Sequence, residues 1–596
     1  MVTAELSTLE PSTTRSTRKS VRPTWSPFYL ALPALLFVLA FAAYPLASFL
    51  WGSISGPDGL TVSFYDRLLK SSYFFTILRR TLAVALSVTA ICLLLAYPTA
   101  YAMMKARGRV KTVLIALVLL PYLTSVLVRT YAWSGLLALD GPINRLAVNL
   151  GILAEPRLLG HSDFGTAIGM THILLPIAVL TMWSRFERMD KEQQTVAAAL
   201  GATRARVIAT VFVPQSMSVV TSAGVLVYVL ALGAYVIPAA LGGTSGQLFA
   251  QAVADQATQL LDWPTAGAMG TLMLVAAALP ALMASAVRTL ARRRASRSAP
   301  VITRLQHTAI RYVYPALDRL PASVLSGLWQ VPAAIVTLFL VIPEIVVVVF
   351  SVGPVNNVTL PPQSWTLEGY RSVFSDGSWT TPLVRSLSYA TADAVLATIV
   401  GALAAYGFAR SSTRLAAAGI TFLLLPIVLP EIVIAISYYI FANQAGLAGT
   451  HAGIVLGQGV GAVGLVVVVL ATVIRQVDVN LEYAAQMCGA SRWQTLRQIV
   501  LPLILPGLAV AFVYGFLTAF DNLVLPLFIS GTKPTITVRM FLSMQESLTS
   551  APAVIASLLI ITLLAGIAIA ITLQRTATAR IAVPVELTNE TAGGTP

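Results

Sequence analysis

Residues 190–214 read DKEQQTVAAALGATRARVIATVFVP, and residues 479–502 read VNLEYAAQMCGASRWQTLRQIVLP. In each stretch a short helical run precedes Gly-Ala, and a second helical run follows it and ends at proline. Glycine permits a backbone turn that other residues resist, and proline stops or bends a helix. We call the two stretches the first and second Gly-Ala loops. Each is predicted to fold as a polar pair of short helices.

Identical residues recur in register around these loops, which indicates an internal duplication. Seven pairs share one offset of 288 positions, whereas chance recurrence of glycine and proline explains one pair but hardly seven. An earlier block repeats at a different offset, with Ala-Tyr and Leu-Pro in 100–121 and again in 405–426. The seven pairs are Ala197 and Ala485, Gly201 and Gly489, Ala202 and Ala490, Arg204 and Arg492, Pro214 and Pro502, Pro238 and Pro526, and Gly243 and Gly531.

The composition places the chain in a membrane. Of its 596 residues 57% are hydrophobic and 11% are charged, and the mean hydropathy is +0.80. A soluble domain is about 45–50% apolar and about 25% charged, which disfavours soluble enzymes and disordered chains. A membrane helix needs about 20 mostly apolar residues, and several segments qualify. The predicted spans are 28–51, 81–103, 112–130, 164–183, 217–242, 264–287, 331–351, 386–408, 415–441, 454–473, 503–530 and 551–573.

These spans divide into two sets of six, so both copies have the same topology and a pseudo-twofold axis along the membrane normal relates them. The predicted fold is an all-α polytopic membrane protein with two parallel-topology repeats of six transmembrane helices. The predicted parts are a cytoplasmic N-terminal tail (1–27), a first repeat (28–287), a basic cytoplasmic linker (288–329), a second repeat (330–573) and a cytoplasmic C-terminal tail (574–596).

The formal charge of +15 has two interpretations. In a soluble protein it would suggest nucleic acid, but in a membrane protein it can record which loops face the cytoplasm. If the N-terminus is cytoplasmic, 28 of the 39 Lys and Arg residues lie in cytoplasmic segments, and only Arg79 and Arg80 dissent locally. We therefore predict a multi-pass protein of the cytoplasmic (inner) membrane with both termini inside, and no nucleic-acid partner.

The Gly-Ala loops resemble the EAA motif of ABC-importer permeases, a pattern of roughly EAAxxLGA followed by a helix and Leu-Pro. The motif's glutamate position holds Thr195 in the first copy and Tyr483 in the second. The resemblance implies the type I ABC-importer permease fold, with two permease subunits fused in one chain. It also implies that the loops dock ATPase subunits. The implied coupling residues are Ala197, Ala198, Gly201, Ala202, Arg204 and Pro214, with Glu482, Ala484, Ala485, Gly489, Ala490, Arg492 and Pro502.

Further motifs resemble the spermidine/putrescine permeases. In the first half these are LVRTYAW (127–133) and GAYVIPAALGG (233–243), and in the second LLLPIVLPEIVIAIS (423–437) and FDNLVLPLFISG (520–531). The implied substrate is a polyamine. Permeases for ferric ion, phosphonate and thiamine share parts of this set and stay open as alternatives.

The family resemblance also implies the partners. A dimer of ATPase subunits would dock from the cytoplasm, and a solute-binding protein would deliver a small-molecule ligand from outside. The chain contains no GxxxxGK[ST] phosphate loop. We therefore expect a permease that is not itself an enzyme, with no catalytic residue and no cofactor of its own, and with ATP and Mg bound by the partner ATPase.

Acids within the spans are the candidates for contact with a cation. An Asp at the centre of a bilayer costs roughly 2.5–3.5 kcal/mol on insertion scales, so a retained acid needs a reason. The alternative to a pathway role is that these acids fix helix packing. Aromatic rings near the outer ends could contact ammonium groups, although Tyr and Trp also collect at membrane interfaces. The predicted pathway residues are Glu344, Glu431, Asp521 and Asn522, with Tyr131, Trp133 and Tyr235.

A secondary transporter with six helices in each half is the alternative of a different class. It would need ion-coupling groups in the spans and no ATPase partner. The matched pair of Gly-Ala loops argues against it, because an ion-driven carrier has no use for two docking elements. The four histidines and two cysteines show no metal-ligand spacing, so no metal site is predicted.

Overall fold

The computed structural model describes residues 27–564, apart from 57, 244–245, 296–318, 320–321, 357, 412–413, 547 and 563. The predicted tail 574–596, residues 1–26 of the predicted N-terminal tail, most of the linker 288–329 and the end of the predicted span 551–573 therefore lie outside the described residues. Within the described part the chain is helical, except for a two-stranded antiparallel pair, β1 (Ser55–Gly56) and β2 (Gly59–Leu60). This confirms the all-α membrane fold.

The first half combines long apolar helices with short connecting ones. Its elements are α1 (Pro27–Gly52), α2 (Ser63–Lys70), α3 (Ser72–Lys105), α4 (Gly108–Leu123), α5 (Val126–Leu136), α6 (Pro142–Asn149), α7 (Asp163–Phe186), α8 (Glu192–Ala199), α9 (Arg204–Leu232), α10 (Val236–Leu241), α11 (Phe249–Thr258) and α12 (Trp263–Ala295).

The second half repeats this order. Its elements are α13 (Ala322–Ser351), α14 (Glu368–Ser375), α15 (Gly377–Ala409), α16 (Arg414–Val428), α17 (Glu431–Gln444), α18 (His451–Gln476), α19 (Val479–Met487), α20 (Arg492–Asp521), α21 (Val524–Ile529), α22 (Ile536–Glu546) and α23 (Ser550–Thr562).

The structure corrects several predicted spans. Nine helices of the described part are long and apolar enough to cross a membrane, and two further spans are broken pairs. The predicted spans 112–130 and 415–441 are these pairs, α4 with α5 and α16 with α17, each bent by 94°. The prediction of one continuous helix was wrong at both places. Hydropathy counts apolar residues but carries no information on a break in the backbone.

The fifth predicted span of each half also ends early. In the first half α9 stops at Leu232 and the short α10 follows, and in the second half α20 stops at Asp521 and α21 follows. Each long helix begins inside its Gly-Ala loop and therefore runs about 43 Å at 1.5 Å per residue. We call the end of the molecule that carries the Gly-Ala loops the loop end, and the opposite end the distal end.

The halves are held together by exchange of their first helices. Helix α1 of the first half packs against α15 and α17 of the second, with Phe28 edge-on to Phe408 at 5.9 Å. Helix α13 of the second half packs against α3, α4 and α5 of the first, with Phe350 edge-on to Tyr131 at 6.2 Å. One buried apolar cluster consequently runs through both halves.

Candidate functional site

The two Gly-Ala loops have the same backbone geometry. The glycine that follows α8 or α19 has φ of +86° at Gly201 and +88° at Gly489. These values lie in the left-handed region that favours glycine. The next helix is capped by the side chain of Thr203 in one loop and of Ser491 in the other. The duplication seen in the sequence is therefore a duplication of structure.

The predicted coupling residues present the same surface in both loops. At each of the equivalent positions the exposure class is the same in the two halves. The exposed ones are Ala198, Gly201, Arg204, Pro214, Ala484, Gly489, Arg492 and Pro502, and the half-buried ones are Ala197, Ala202, Ala485 and Ala490. Small residues beside an exposed glycine leave room for another protein to approach the backbone closely. Glu482 is the exception, because it is buried.

The far ends of α9 and α20 meet the breaks of the opposite half. A Cβ on Gly233, which follows α9, would lie 2.9 Å from Cα of Pro430, so only glycine fits there. The equivalent residue 288 positions later is Asp521, which lies against Ser125 and Val126 in the break of the first half. Each break thus packs on the end of the long helix of the other half. That helix end carries an acid, Asp521, in the second half and a glycine, Gly233, in the first.

Both acids of this region lie beside the start of a helix. Glu431 is the first residue of α17, and Asp521, the last residue of α20, lies beside Ser125 and Val126 at the start of α5. Helices α5 and α17 occupy equivalent places in the two halves. The positive end of a helix dipole stabilises a nearby carboxylate by about 0.3–1 kcal/mol. The charge of Asp521 also acts on Glu431, so the two acids share one region of the interface.

Glu431 and Asp521 differ in accessibility, and Oδ1 of Asp521 is buried without a hydrogen-bond partner among the described residues. The Glu431 side chain is exposed and that of Asp521 is half-buried, although both lie where the two halves meet. Asn522, the next predicted residue, has another task. Its Oδ1 accepts a hydrogen bond from the Leu525 N–H at 3.2 Å, which caps α21.

Glu344 belongs to a buried network around Arg129. Its Oε1 accepts a hydrogen bond from Thr124 Oγ1 at 2.6 Å, and Arg129 Nη2 donates to the Thr124 carbonyl oxygen at 3.1 Å. Arg129 interacts electrostatically with Glu344 and with Asp521. Its Nη1 and Glu344 Oε2 have no hydrogen-bond partner among the described residues. The guanidinium therefore places a positive charge near two acids at the interface.

Tyr131 and Trp133 depart from the prediction that they line an open path. Tyr131 is fully buried and donates a hydrogen bond from Oη to the Thr549 carbonyl oxygen at 2.6 Å. Trp133 is buried against the rings of His172 and Phe339. Both rings pack between helices because α5 lies in the interior after the 94° bend.

Tyr235 lines an open cavity at the distal end. The cavity has a volume of about 320 Å³ and lies between the halves. The Tyr235 ring is edge-on to Phe528 at 5.7 Å, and Tyr439 lies 6.4 Å from Phe528. We call this cavity the aromatic chamber. Its lining residues are Tyr235, Thr258, Tyr439, Leu527, Phe528, Phe541, Leu542 and Gln545.

The aromatic chamber and the acid pair are joined by one helix. Tyr439 stands eight residues after Glu431 on α17, which corresponds to about 12 Å along the helix axis. A solute in the chamber and a solute at the acids would thus contact the same helix about two turns apart.

Comparison with known proteins decides the family. The profile of the family described as "binding-protein-dependent transport system inner membrane component" matches this chain twice, at residues 93–297 and 397–583. Each match contains one Gly-Ala loop and one broken helix pair. The chain belongs to this family. It is accordingly an ABC-importer permease that carries two permease repeats.

Individual relatives point to more than one substrate. The spermidine/putrescine transport system permease protein PotB of Escherichia coli (strain K12) is 28% identical over 260 residues, covering 42% of this permease and 92% of PotB. The trehalose transport system permease protein SugB of Mycobacterium tuberculosis is 31% identical over 183 residues, covering 31% and 67%. A solved bacterial ABC transporter for import of the polysaccharide alginate matches with a TM-score of 0.34 at 15% identity, covering 43% of this permease and 98% of that chain.

Sequence reasoning missed two acids of this permease. Asp393 lies inside the predicted span 386–408 and is fully buried, and neither carboxylate oxygen has a hydrogen-bond partner among the described residues. A complete search for acids within the predicted spans, which selected Glu344, Glu431 and Asp521, would also have found Asp393. Asp255 of α11 lies near Tyr235 and accepts hydrogen bonds from Gln247 at 2.5 Å and Gln259 at 3.1 Å. Only the folding of α11 over the chamber brings this acid to the site.

Proposed function

We propose that this permease forms the translocation pathway of an ATP-driven importer for a polyamine-like organic cation. The observation that carries the proposal is the pair of acids, Glu431 and Asp521, at the interface of the halves. A helix N-terminus favours the charged form of a nearby carboxylate, and two such carboxylates would offset the loss of water around an ammonium group. The chamber above them offers aromatic rings, which attract such groups by about 0.5–2 kcal/mol.

The same features weigh against other cargoes. Two carboxylates would repel an anionic phosphonate, and a neutral sugar gains little from them. A thiamine-like amine and ferric ion remain alternatives because both are cationic. The similarity to PotB, which is 28% identical over 260 residues, supports a polyamine.

In this proposal ATPase subunits, which bind ATP and Mg, dock on the Gly-Ala loops, and a solute-binding protein docks at the distal end. The loop end then faces the cytoplasm, as the distribution of Lys and Arg suggests. Closure of the ATPase dimer would push on two loops, each of which continues directly into a long helix that ends beside a break. Movement at the loop end is thereby passed to the acids.

Substrate choice is tested with the purified importer in proteoliposomes. The permease is recovered from its native membranes with its partners, and ATP-dependent uptake of labelled spermidine, putrescine, thiamine and trehalose is compared. We expect uptake of the polyamines alone, with competition by unlabelled polyamine. Uptake of trehalose but not of polyamine would contradict the substrate. Stoichiometric recovery of the permease without any ATPase would contradict the mechanism and favour an ion-coupled carrier.

The aromatic chamber is tested by removing its rings. We expect Phe528→Ala and Tyr439→Ala each to raise the apparent KM for polyamine uptake by about two- to fivefold, because one cation–π contact is worth about 0.5–1 kcal/mol at an accessible site. Tyr439→Phe keeps the ring and serves as the control, with an unchanged KM. An equal effect of Tyr439→Phe and Tyr439→Ala would assign the role to the hydroxyl instead of the ring.

A further inference from the structure

The second Gly-Ala loop is tied to the rest of its half by a buried acid. Glu482 of α19 is 5% exposed. Its Oε2 accepts a hydrogen bond from Tyr406 Oη at 2.7 Å, and its Oε1 accepts one from Arg410 Nε at 2.8 Å. Arg410 Nη2 completes an ion pair with Oε1 at 2.5 Å and donates to the Val477 carbonyl oxygen at 3.1 Å. We call Glu482, Arg410 and Tyr406 the loop anchor.

The first loop has a different set of residues at the equivalent places. Gln194 stands 288 positions before Glu482, and Lys105 and Tyr101 stand 305 positions before Arg410 and Tyr406. An amide cannot form an ion pair. Lys105 lies over the Tyr101 ring at 5.5 Å instead. The first loop therefore lacks the residues that would form an ion pair equivalent to the one in the loop anchor.

The ion pair nearest the first loop connects other elements. Near the base of the first loop, Lys111 Nζ donates a hydrogen bond to Glu187 Oε1 at 2.6 Å. This hydrogen bond lowers the pKa of the Glu187 carboxyl. Both groups are about one-third exposed, so water weakens their attraction. The pair joins α4 to the end of α7. Helix α8 is instead joined to α9 by a hydrogen bond from Gln215 Nε2 to Gln193 Oε1 at 2.7 Å, and this exposed contact is between two neutral amides.

Turning Glu482 inward also changes the surface that the second loop offers. The exposed side chains of this loop are largely apolar, with Met487 88% and Trp493 67% exposed, beside Leu481 and Tyr483. The first loop begins with the exposed charges of Lys191 and Glu192. It also exposes two aliphatic side chains, Val196 and Leu200, but no aromatic ring. Exposed apolar groups of this size mark contact with another protein.

We propose that the two docking loops are inequivalent, with Glu482 a positioning residue that holds the second loop rigidly so that its apolar side chains enter a groove of one ATPase subunit. The first loop docks through a more polar surface and moves more freely on its half. This inference rests on the proposed docking of ATPase subunits. Coupling of ATP hydrolysis to transport then depends on the loop anchor in the second half alone.

The test uses the assembled importer in proteoliposomes and reads substrate molecules moved per ATP hydrolysed. Glu482→Gln removes the ion pair and keeps an oxygen for Tyr406. We expect this ratio to fall about tenfold, with KM for substrate unchanged, because the pathway is not touched. The double variant Glu482→Arg with Arg410→Glu exchanges the two partners of the ion pair. It should restore the pair in reverse and recover most of the substrate moved per ATP hydrolysed. The matched control, Gln194→Ala, removes the side chain at the equivalent place in the first half and should stay within about twofold of the parent.

The outcomes separate the two proposals. Absence of an ATPase from the purified parent complex would sink the docking model itself. An ATPase that co-purifies, together with an unchanged ratio in Glu482→Gln, would overturn the role of Glu482. An equal loss in Glu482→Gln and in the Gln194 control would overturn the inequivalence of the loops. If Glu482→Gln fails to accumulate, Glu482→Asp replaces it, because the shorter acid lengthens the contact with Arg410 and keeps the charge, and an intermediate ratio is expected.

Discussion

Uptake at limiting substrate is expected to fall at least about a hundredfold when Glu431→Gln and Asp521→Asn are combined. Each change removes one negative charge and leaves a side chain of nearly the same size. A hydrogen bond to a charged group contributes about 1.5–3 kcal/mol, and 1.4 kcal/mol corresponds to a factor of ten in an equilibrium constant. Both acids belong to the second half and lie at its interface with the first half, so a cation that passes there loses both partners. The measurement is the initial rate of ATP-dependent polyamine uptake into proteoliposomes.

Glu344→Gln is the matched control for this double variant. Glu344 is buried, and its carboxylate is occupied by Thr124 and influenced by Arg129. Loss of its charge is expected to change the uptake rate less than about threefold. Equal losses in Glu344→Gln and the double variant would show that all three acids serve helix packing. Full uptake by the double variant would remove Glu431 and Asp521 from the pathway.

The sequence was sufficient for the architecture because duplication leaves a pattern that needs no knowledge of contacts. The offset of 288 positions located both loops, and the φ values of Gly201 and Gly489 differ by only 2°. The breaks at Ser125 and Pro430 escaped prediction because the flanking residues are as apolar as those of an unbroken helix. The breaks are what place Glu431 and Asp521 beside helix N-termini.

The sequence alone could not predict which surface an individual side chain faces. Tyr131 and Tyr235 look alike as aromatic residues near the end of a span. One is fully buried beside Phe350, and the other lines an open chamber with Phe528. Hydropathy assigns both to the membrane and says nothing of which surface faces another helix. Such differences arise from packing between the halves, which depends on residues hundreds of positions apart.

Valine at the two loop glycines is expected to uncouple the importer. A left-handed backbone costs an L-residue roughly 1–2 kcal/mol, and a β-branched residue is the least compatible with it. Nothing lies within 4 Å of a Cβ built at Gly201 or Gly489, so the whole effect comes from the backbone. Since each loop would lose its turn, Gly201→Val with Gly489→Val should lower ATP-coupled uptake by about thirtyfold or more, measured as uptake per ATP hydrolysed.

Asparagine at the same two positions distinguishes the effect of the backbone turn from the effect of adding a side chain to the exposed surface. Asparagine tolerates the left-handed region better than other L-residues and is close to valine in size. The double Gly201→Asn and Gly489→Asn variant should therefore keep most of the coupled uptake. If both double variants lost coupling equally, the glycines would matter because an ATPase subunit lies directly against them. If neither lost coupling, the turn would be dispensable and the Gly-Ala loops would not transmit the movement of the ATPase dimer.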